Sequence, residues 1–280
     1  MPARGSDSGG GRAAGPSAPE GYTVRAVVRA VQLLDLLRES SDGGASLQEL
    51  SKRSGLAKAS VYRMLRTLDW AGLVERVPGS ERYRLGVRCL EFGRAYLEQV
   101  DFRREALPVL ERLRQQFNET VHLAVLDDRL RVVYLEKLDS AHAVGIMMSR
   151  VGRTAPSYCT GLGKALLAAL SDDPVTLLDQ WAELRRHTAN TICDPDALRD
   201  ELESIRSRGY ALDLEEHEPG VRCVAASIPG LPGDAAAALS IAGPAHRMPD
   251  ELLCGRLAEA VVSAAGEVAA RLGAVPEVRR

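Results

Sequence analysis

Five side chains within nine residues could grip a nucleic acid: Lys58, Ser60, Tyr62, Arg63 and Arg66. Their chemistry suits both parts of a duplex. Cations pair with phosphates, an arginine fork matches a guanine edge, and hydroxyls reach bases or backbone. Arg76 and Arg82 flank the turn Pro78-Gly-Ser80 a little further on and could add phosphate contacts. With Arg29 upstream and Ser46 at the start of the stretch, these residues make up the candidate DNA-contacting set.

Two further clusters lie far downstream. Thr160-Gly-Leu-Gly-Lys-Ala165 reads as the opening of a helix, whose first backbone N–H groups could receive an anion or carboxylate. It is not a P-loop, because no upstream Gly has the spacing and Ala165 replaces the Ser/Thr that would hold magnesium. The bland alternative is a Gly-rich helix start needed for close packing. Asp213-Leu-Glu-Glu-His-Glu-Pro-Gly-Val-Arg-Cys223 gathers acids, an imidazole and a thiol. Nucleophilic catalysis would need Cys223 activated by a base such as His217, yet Cys223 opens an apolar run as a structural thiol would. Asp213, Glu216 and His217 offer only one histidine and are a weak metal set. His122, inside a strand pattern, reads as a core histidine. The sequence therefore implies no catalytic residue, no metal and no cofactor.

The elements that must position these groups follow from periodicity. The apolar residues Leu47, Leu50, Leu56, Val61, Met64, Leu65 and Leu68 recur at helical spacing, so the spacing predicts two short helices at about 47–53 and 57–71 that turn at Ser54-Gly55. An amphipathic helix over 24–38 precedes them, with Val24, Val27, Val28, Val31, Leu34 and Leu37 along one side. Residues 72–85 form a hairpin, so 21–86 read as a winged helix-turn-helix. Residues 87–100 read as a linking helix and 101–275 as a second domain. That domain starts with a helix over 102–117 and strands at 121–126 and 131–135. A strand near 143–148 and a helix from 161 to 170 follow. Next come a helix at 196–208, strands at 210–214, 221–228 and 235–241, and a closing helix at 249–272. Helices flanking a run of antiparallel strands make an α+β domain. Residues 1–20 are nearly all Gly, Ala, Pro, Ser, Asp and Arg, and their composition predicts disorder.

Bulk properties agree. The net charge of −2 hides a split: residues 24–90 hold 12 Lys/Arg against 7 Asp/Glu, while 91–280 hold 22 against 29. A basic module joined to an acidic one is what a regulator with a separate sensing domain shows. A structural nucleoid protein would be basic throughout. The five cysteines are scattered, without metal spacing or a disulfide framework. No apolar run nears the ~18 residues of a membrane span, and no signal peptide opens the chain. Both points lead us to expect a cytoplasmic protein.

Six motifs in order resemble the isocitrate-lyase-regulator (IclR) family of transcription factors, from about Val24 to Leu272. They are Arg29-Ala-Val-Gln-Leu-Leu34, Gly55-Leu-Ala-Lys-Ala-Ser-Val-Tyr-Arg-Met-Leu65, Tyr83-Arg-Leu-Gly86, Thr160 to Ala165, the Asp213/Glu216/Cys223 spacing, and Ala238-Leu-Ser240. The resemblance implies a GAF-like effector domain with a mainly antiparallel sheet, a homodimer or dimer of dimers on double-stranded operator DNA, and a small organic acid or aromatic metabolite as effector. Carried over by position, the effector set is Thr160, Gly161, Leu162, Asp213, Cys223 and Ser240. Three positions depart from the usual pattern: Gly161 replaces an alanine, Ala242 replaces a second serine, and Ala59 replaces a common serine of the recognition helix. The expected function is a sequence-specific DNA-binding regulator, a repressor, under effector control. The alternative is an enzyme carrying an accessory DNA-binding module.

Overall fold

A computed structural model describes residues 24–40, 43–141, 147–170, 173–179, 184–230 and 237–273. The tail expected to be disordered, and residues 143–146 of the strand expected near 143–148, lie outside the described residues. The chain divides into two compact units, one ending at Tyr96 and the other starting at Leu97.

The first unit runs α1 (Arg25–Arg38), β1 (Ala45–Ser46), α2 (Leu47–Ser54), α3 (Lys58–Trp70), β2 (Val74–Arg76), β3 (Arg82–Leu85) and most of α4 (Arg88–Gln99), whose last residues belong to the second unit. Its three strands pair antiparallel in the order β1-β3-β2. The start of α2 is fixed by a reciprocal cap, in which the Glu49 amide donates to Ser46 Oγ (3.2 Å) and the Ser46 amide donates to Glu49 Oε2 (2.7 Å). The helix stops at Gly55, whose φ of 70° is the left-handed turn that glycine adopts without strain. Leu33, Leu37, Leu50, Val61, Leu65, Leu68, Val74 and Tyr83 close the core. One expectation fails on α1. Leu33 and Leu37 are its buried residues, while Val24, Val27, Val28 and Val31 are between 51% and 64% exposed. The valine stripe is therefore a second apolar face, distinct from the one that seals the core.

The second unit opens with α5 (Asp101–Phe117), followed by the hairpin β4 (Thr120–Leu126) and β5 (Val132–Leu138) and the short β6 (Thr154–Ala155). Then come α6 (Gly161–Ala169), α7 (Pro174–Asp179), α8 (Pro195–Arg208), β7 (Ala211–Leu214), β8 (Val221–Ile228) and β9 (Ala237–Pro244). The six strands form one antiparallel sheet in the order β6-β5-β4-β9-β8-β7. Met147 and Met148, expected in a strand, are not in one, and β6 takes the edge instead. The closing helix is also interrupted. A short α9 (Asp250–Leu252) passes through a π-turn (Leu253–Leu257) into α10 (Ala258–Arg271), because Gly255, free of a Cβ, leaves helical geometry at φ −102°, ψ −109°.

Strand alternation gives the sheet two unlike faces. Leu239 and Ile241 of β9, with Val121, Leu123 and Val224, pack against Leu110 of α5 and Val261 of α10. The intervening positions Ala238 and Ala242, with Ala124, Ala225 and Cys223, face Leu162 and Leu166 of α6 and Leu198 and Leu202 of α8. These residues are small, so the second face leaves room that the first does not. A Cβ at Gly163 would sit 2.2 Å from the Ser157 carbonyl oxygen, so only glycine lets α6 lie this close to its own approach loop.

Candidate nucleic-acid interface and ligand pocket

The second helix of the helix-turn-helix, α3, shows its polar side to solvent. Lys58, Tyr62, Arg63 and Arg66 are exposed and Ser60 is half-buried. Among the described residues no hydrogen bond or ion pair holds the side chains of Lys58, Arg63 or Arg66, so three cations stand free on one helix face. Arg29 is also exposed. The other members of the expected set have duties inside the domain. Ser46 caps α2. Arg76 stacks over Tyr83 at 5.5 Å and pairs with Glu81 at 3.2 Å. Arg82 is the most committed: it donates to the carbonyls of Gly43 (2.9 Å) and Gly44 (2.8 Å) and pairs with Glu49 at 3.1 Å. Its guanidinium ties the wing to the start of α2. Sequence alone reads Arg76 and Arg82 as phosphate ligands, because nothing in the spacing reveals these internal partners.

In the second unit, all six residues of the expected effector set line one cavity of about 40 Å3 on the small-residue face of the sheet. Thr160 caps α6, its Oγ1 accepting the Gly163 amide (3.2 Å) and donating to the Pro156 carbonyl (2.8 Å). The helix start formed by Gly161 and Leu162 borders the cavity, with the positive end of the helix dipole toward it. Asp213 on β7 and Cys223 on β8 are paired residues across the strands. Ser240 stands on β9 opposite His122 of β4. His122 uses both ring nitrogens, Nδ1 with Ser240 Oγ (3.3 Å) and Nε2 with Ser149 Oγ (2.9 Å). Tyr134, Met147, Ser149, His217, Glu218, Val221 and Ala242 complete the lining. His122 is thus the satisfied core histidine expected, and it also borders the pocket. Among the described residues no lysine or arginine lines the cavity.

Burial dominates the titration of these groups. It raises Asp213 to about 7, against the amide donated by Glu216 (2.8 Å), which favours the ionised form. Burial lowers His122 to about 3 and His217 to about 4, so both are neutral near pH 7. Burial raises the Cys223 thiol to about 12, which removes it as a nucleophile near neutral pH. Asp213, Glu216 and His217 do not converge on a metal position, and no group among the described residues does. His217 instead packs edge-on against His187 at 5.3 Å.

The asparagine variant of Asp213 provides a test. Because the folded-state pKa is raised, folding favours the protonated acid, and this contribution to stability is lost as pH rises from about 4 to about 7. The same proton governs an incoming carboxylate, which a neutral Asp213 can hydrogen-bond and an ionised one repels. Carboxylate affinity should therefore fall as pH rises above about 7 in wild type and stay flat in Asp213→Asn. Calorimetric titrations at pH 6 to 9 that show equal slopes for the two proteins would remove Asp213 from the ligand's contacts.

One side chain that sequence reading missed joins two motifs. Lys164 of α6 is 1% exposed, and its Nζ meets Glu216 Oε1 at 2.5 Å and Glu201 Oε1 at 3.3 Å. The Lys of the helix-start motif and the Glu of the strand–turn–strand motif are thus one buried ion pair. The usable signal was a lysine in an otherwise apolar helix, since an unpaired charge is not buried there.

A winged helix-turn-helix with an unpaired basic recognition helix, followed by a sheet domain with a small cavity that has polar groups in its wall, defines a ligand-responsive DNA-binding protein. The comparisons place it further. Residues 94–270 match the bacterial transcriptional regulator IclR C-terminal domain, and residues 26–78 match the IclR helix-turn-helix domain. The chain belongs to the IclR family of transcriptional regulators. It is 36% identical to the HTH-type transcriptional regulator BhcR of Paracoccus denitrificans over 258 residues, covering 92% of this chain and 91% of that protein. It is 36% identical to the HTH-type transcriptional regulator KdgR of Escherichia coli over 254 residues, covering 90% and 94%. The fold is shared with an IclR homolog from Microbacterium hydrocarbonoxydans crystallised with 4-hydroxybenzoate. That match has a TM-score of 0.73 at 26% identity and covers 89% of this chain and 99% of that one.

Proposed function

We propose that this regulator is a repressor that binds an operator as a dimer or dimer of dimers and changes its DNA affinity when a small organic acid enters the cavity on α6. In this reading residues 21–86 bind DNA, 87–100 form the linking helix and 101–275 sense the effector. The observation that carries it is the convergence of Thr160, Gly161, Leu162, Asp213, Cys223 and Ser240 on one buried cavity. A cavity of about 40 Å3 has room for roughly three water-sized centres. An acid of a few heavy atoms therefore suits it better than an aromatic ring, which would require lining side chains such as Met147 to move. The relative's 4-hydroxybenzoate complex supports a carboxylate ligand. The protonated Cys223 thiol favours a sensing role over the alternative, an enzyme with an accessory DNA-binding module.

Base reading falls to α3, whose first turns carry Ser60, Tyr62 and Arg63. Arg63→Ala should weaken specific operator binding by about 1–3 kcal/mol and relax preference at one or two positions. Lys58→Ala and Arg66→Ala should weaken binding to all sequences and each reduce the salt slope by about one unit. Footprinting across an operator library separates the two effects, and unchanged affinity and preference in Arg63→Ala would take that side chain out of the groove.

Self-association rests on apolar surface. Val24, Val27, Val28 and Val31 of α1 are exposed, as are Val87 before α4 and Leu90, Phe92 and Tyr96 on it. Large exposed apolar groups in such numbers mark an association surface. Light scattering should give a multiple of the 30.2 kDa chain mass, and Val28→Glu with Leu90→Glu should shift it toward the monomer and cut the footprint to a half-site. A wild-type monomer would end this reading.

A further inference from the structure

The effector reading assigns no role to Tyr134, one of the polar groups in the cavity wall. Tyr134 lies on β5, beyond the strands that carry the carried-over set. It is 8% exposed and lines the cavity. Its ring rests on His122 at 5.3 Å between centroids. Among the described residues its hydroxyl has no hydrogen-bond partner, although Glu218 and Asp213 are close enough for their charges to act on it. That hydroxyl is not sealed off, so it is free to bond whatever enters the cavity. His122 does not compete for it, because its two nitrogens already bond Ser240 and Ser149.

We propose that Tyr134 is the specificity-determining residue of the pocket, hydrogen-bonding an oxygen on the carbon chain of a short monocarboxylic acid. The inference rests on the effector reading and deepens it. Two features define the ligand class. One carboxylate fits at the helix start of α6, but a second finds no lysine or arginine among the described lining residues and meets Glu218 instead. The rest of the ligand therefore carries a neutral oxygen, a hydroxyl or a carbonyl, and Tyr134 can donate to either. His122 acts through its neighbours. By holding Ser149 and Ser240 it keeps two serine hydroxyls on the same side of the cavity and supports the tyrosine ring, which makes it a positioning residue.

The test uses the full chain and three acids that differ only at the second carbon: lactate, pyruvate and propionate. Calorimetry should show wild type binding lactate or pyruvate about tenfold more tightly than propionate, the usual worth of one net hydrogen bond. Tyr134→Phe should bring that ratio close to one while leaving propionate affinity unchanged. Thermal melts of the ligand-free variant should show no loss of stability, because the hydroxyl has no protein partner to lose. If the acids bind but Tyr134→Phe keeps the wild-type ratio, or if wild type does not distinguish them, the inference is overturned and the pocket reading stands. If none of the three binds wild type at millimolar concentration, the small-acid reading fails and this inference fails with it.

Discussion

Lys164→Ala should destabilise the chain by about 3–5 kcal/mol, the loss measured when one partner of a buried ion pair is removed. Lys164 is almost fully buried, and Glu216, on the far side of the contact, is buried with it. Without the ammonium, Glu216 must take up a proton or remain as an unpaired charge in a low-dielectric site. Its Oε2 already lacks a partner, so the site has no reserve donor. Urea unfolding at pH 7 measures the loss directly. The double replacement Lys164→Met with Glu216→Leu should recover most of it, since exchanging a buried pair for apolar groups of similar volume is often neutral or stabilising. A single variant that loses less than about 1 kcal/mol would mean the pair is solvated and contributes no more than a surface bridge.

The second large effect concerns the switch. Gly161→Leu should abolish the effector's influence on DNA binding while leaving effector-free operator affinity unchanged. A Cβ at this position would sit 3.0 Å from Cys223 Sγ and 3.6 Å from the Ala225 Cβ. A leucine places three more carbons in a cavity of about 40 Å3 and fills it. Gly161→Ala should have a graded effect, because the thiol needs to yield by only a few tenths of an ångström. An effector shifts DNA affinity only as far as it discriminates between two arrangements of the protein, typically about 1–3 kcal/mol of coupling. Wild type should therefore show about a 5- to 150-fold change in operator affinity with effector and Gly161→Leu none. Fluorescence anisotropy with and without ligand reads both. A full response in Gly161→Leu would place the sensing site elsewhere in the acidic domain.

Much of the architecture was legible from local rules. The helix-turn-helix could be read because its boundaries are set by neighbours in sequence: Ser46 and Glu49 cap one another, Gly55 turns, and the leucines repeat at helical spacing. The β4–β5 hairpin, the α8 helix ending at Gly209, and the strands β7 to β9 follow from equally local signals. The misses were where distant partners decide the outcome. Which face of α1 is buried depended on what packs against it, and the valines were as apolar as the leucines that won. The two-residue strand β6 exists only because β5 offers an edge at Val132 and Val133. The break at Gly255 depends on how the closing helix must bend, and periodicity cannot see it.

The candidate site divides in the same way. The sequence by itself determined the basic recognition helix, the Gly-rich start of α6, and the Asp213, Glu216 and Cys223 spacing, because each is a short stretch whose residue types state their chemistry. Only the tertiary structure decided what those stretches do together. Sheet pairing brings Ser240 opposite His122 and Asp213 opposite Cys223, residues as many as 118 positions apart, onto one small-residue face. It turns Lys164 inward to Glu216, commits Arg82 to the wing, and leaves the Tyr134 hydroxyl facing a cavity. These are long-range contacts, formed when the chain closes loops of tens to hundreds of residues and selected by volume and burial across the whole core. No local pattern encodes them.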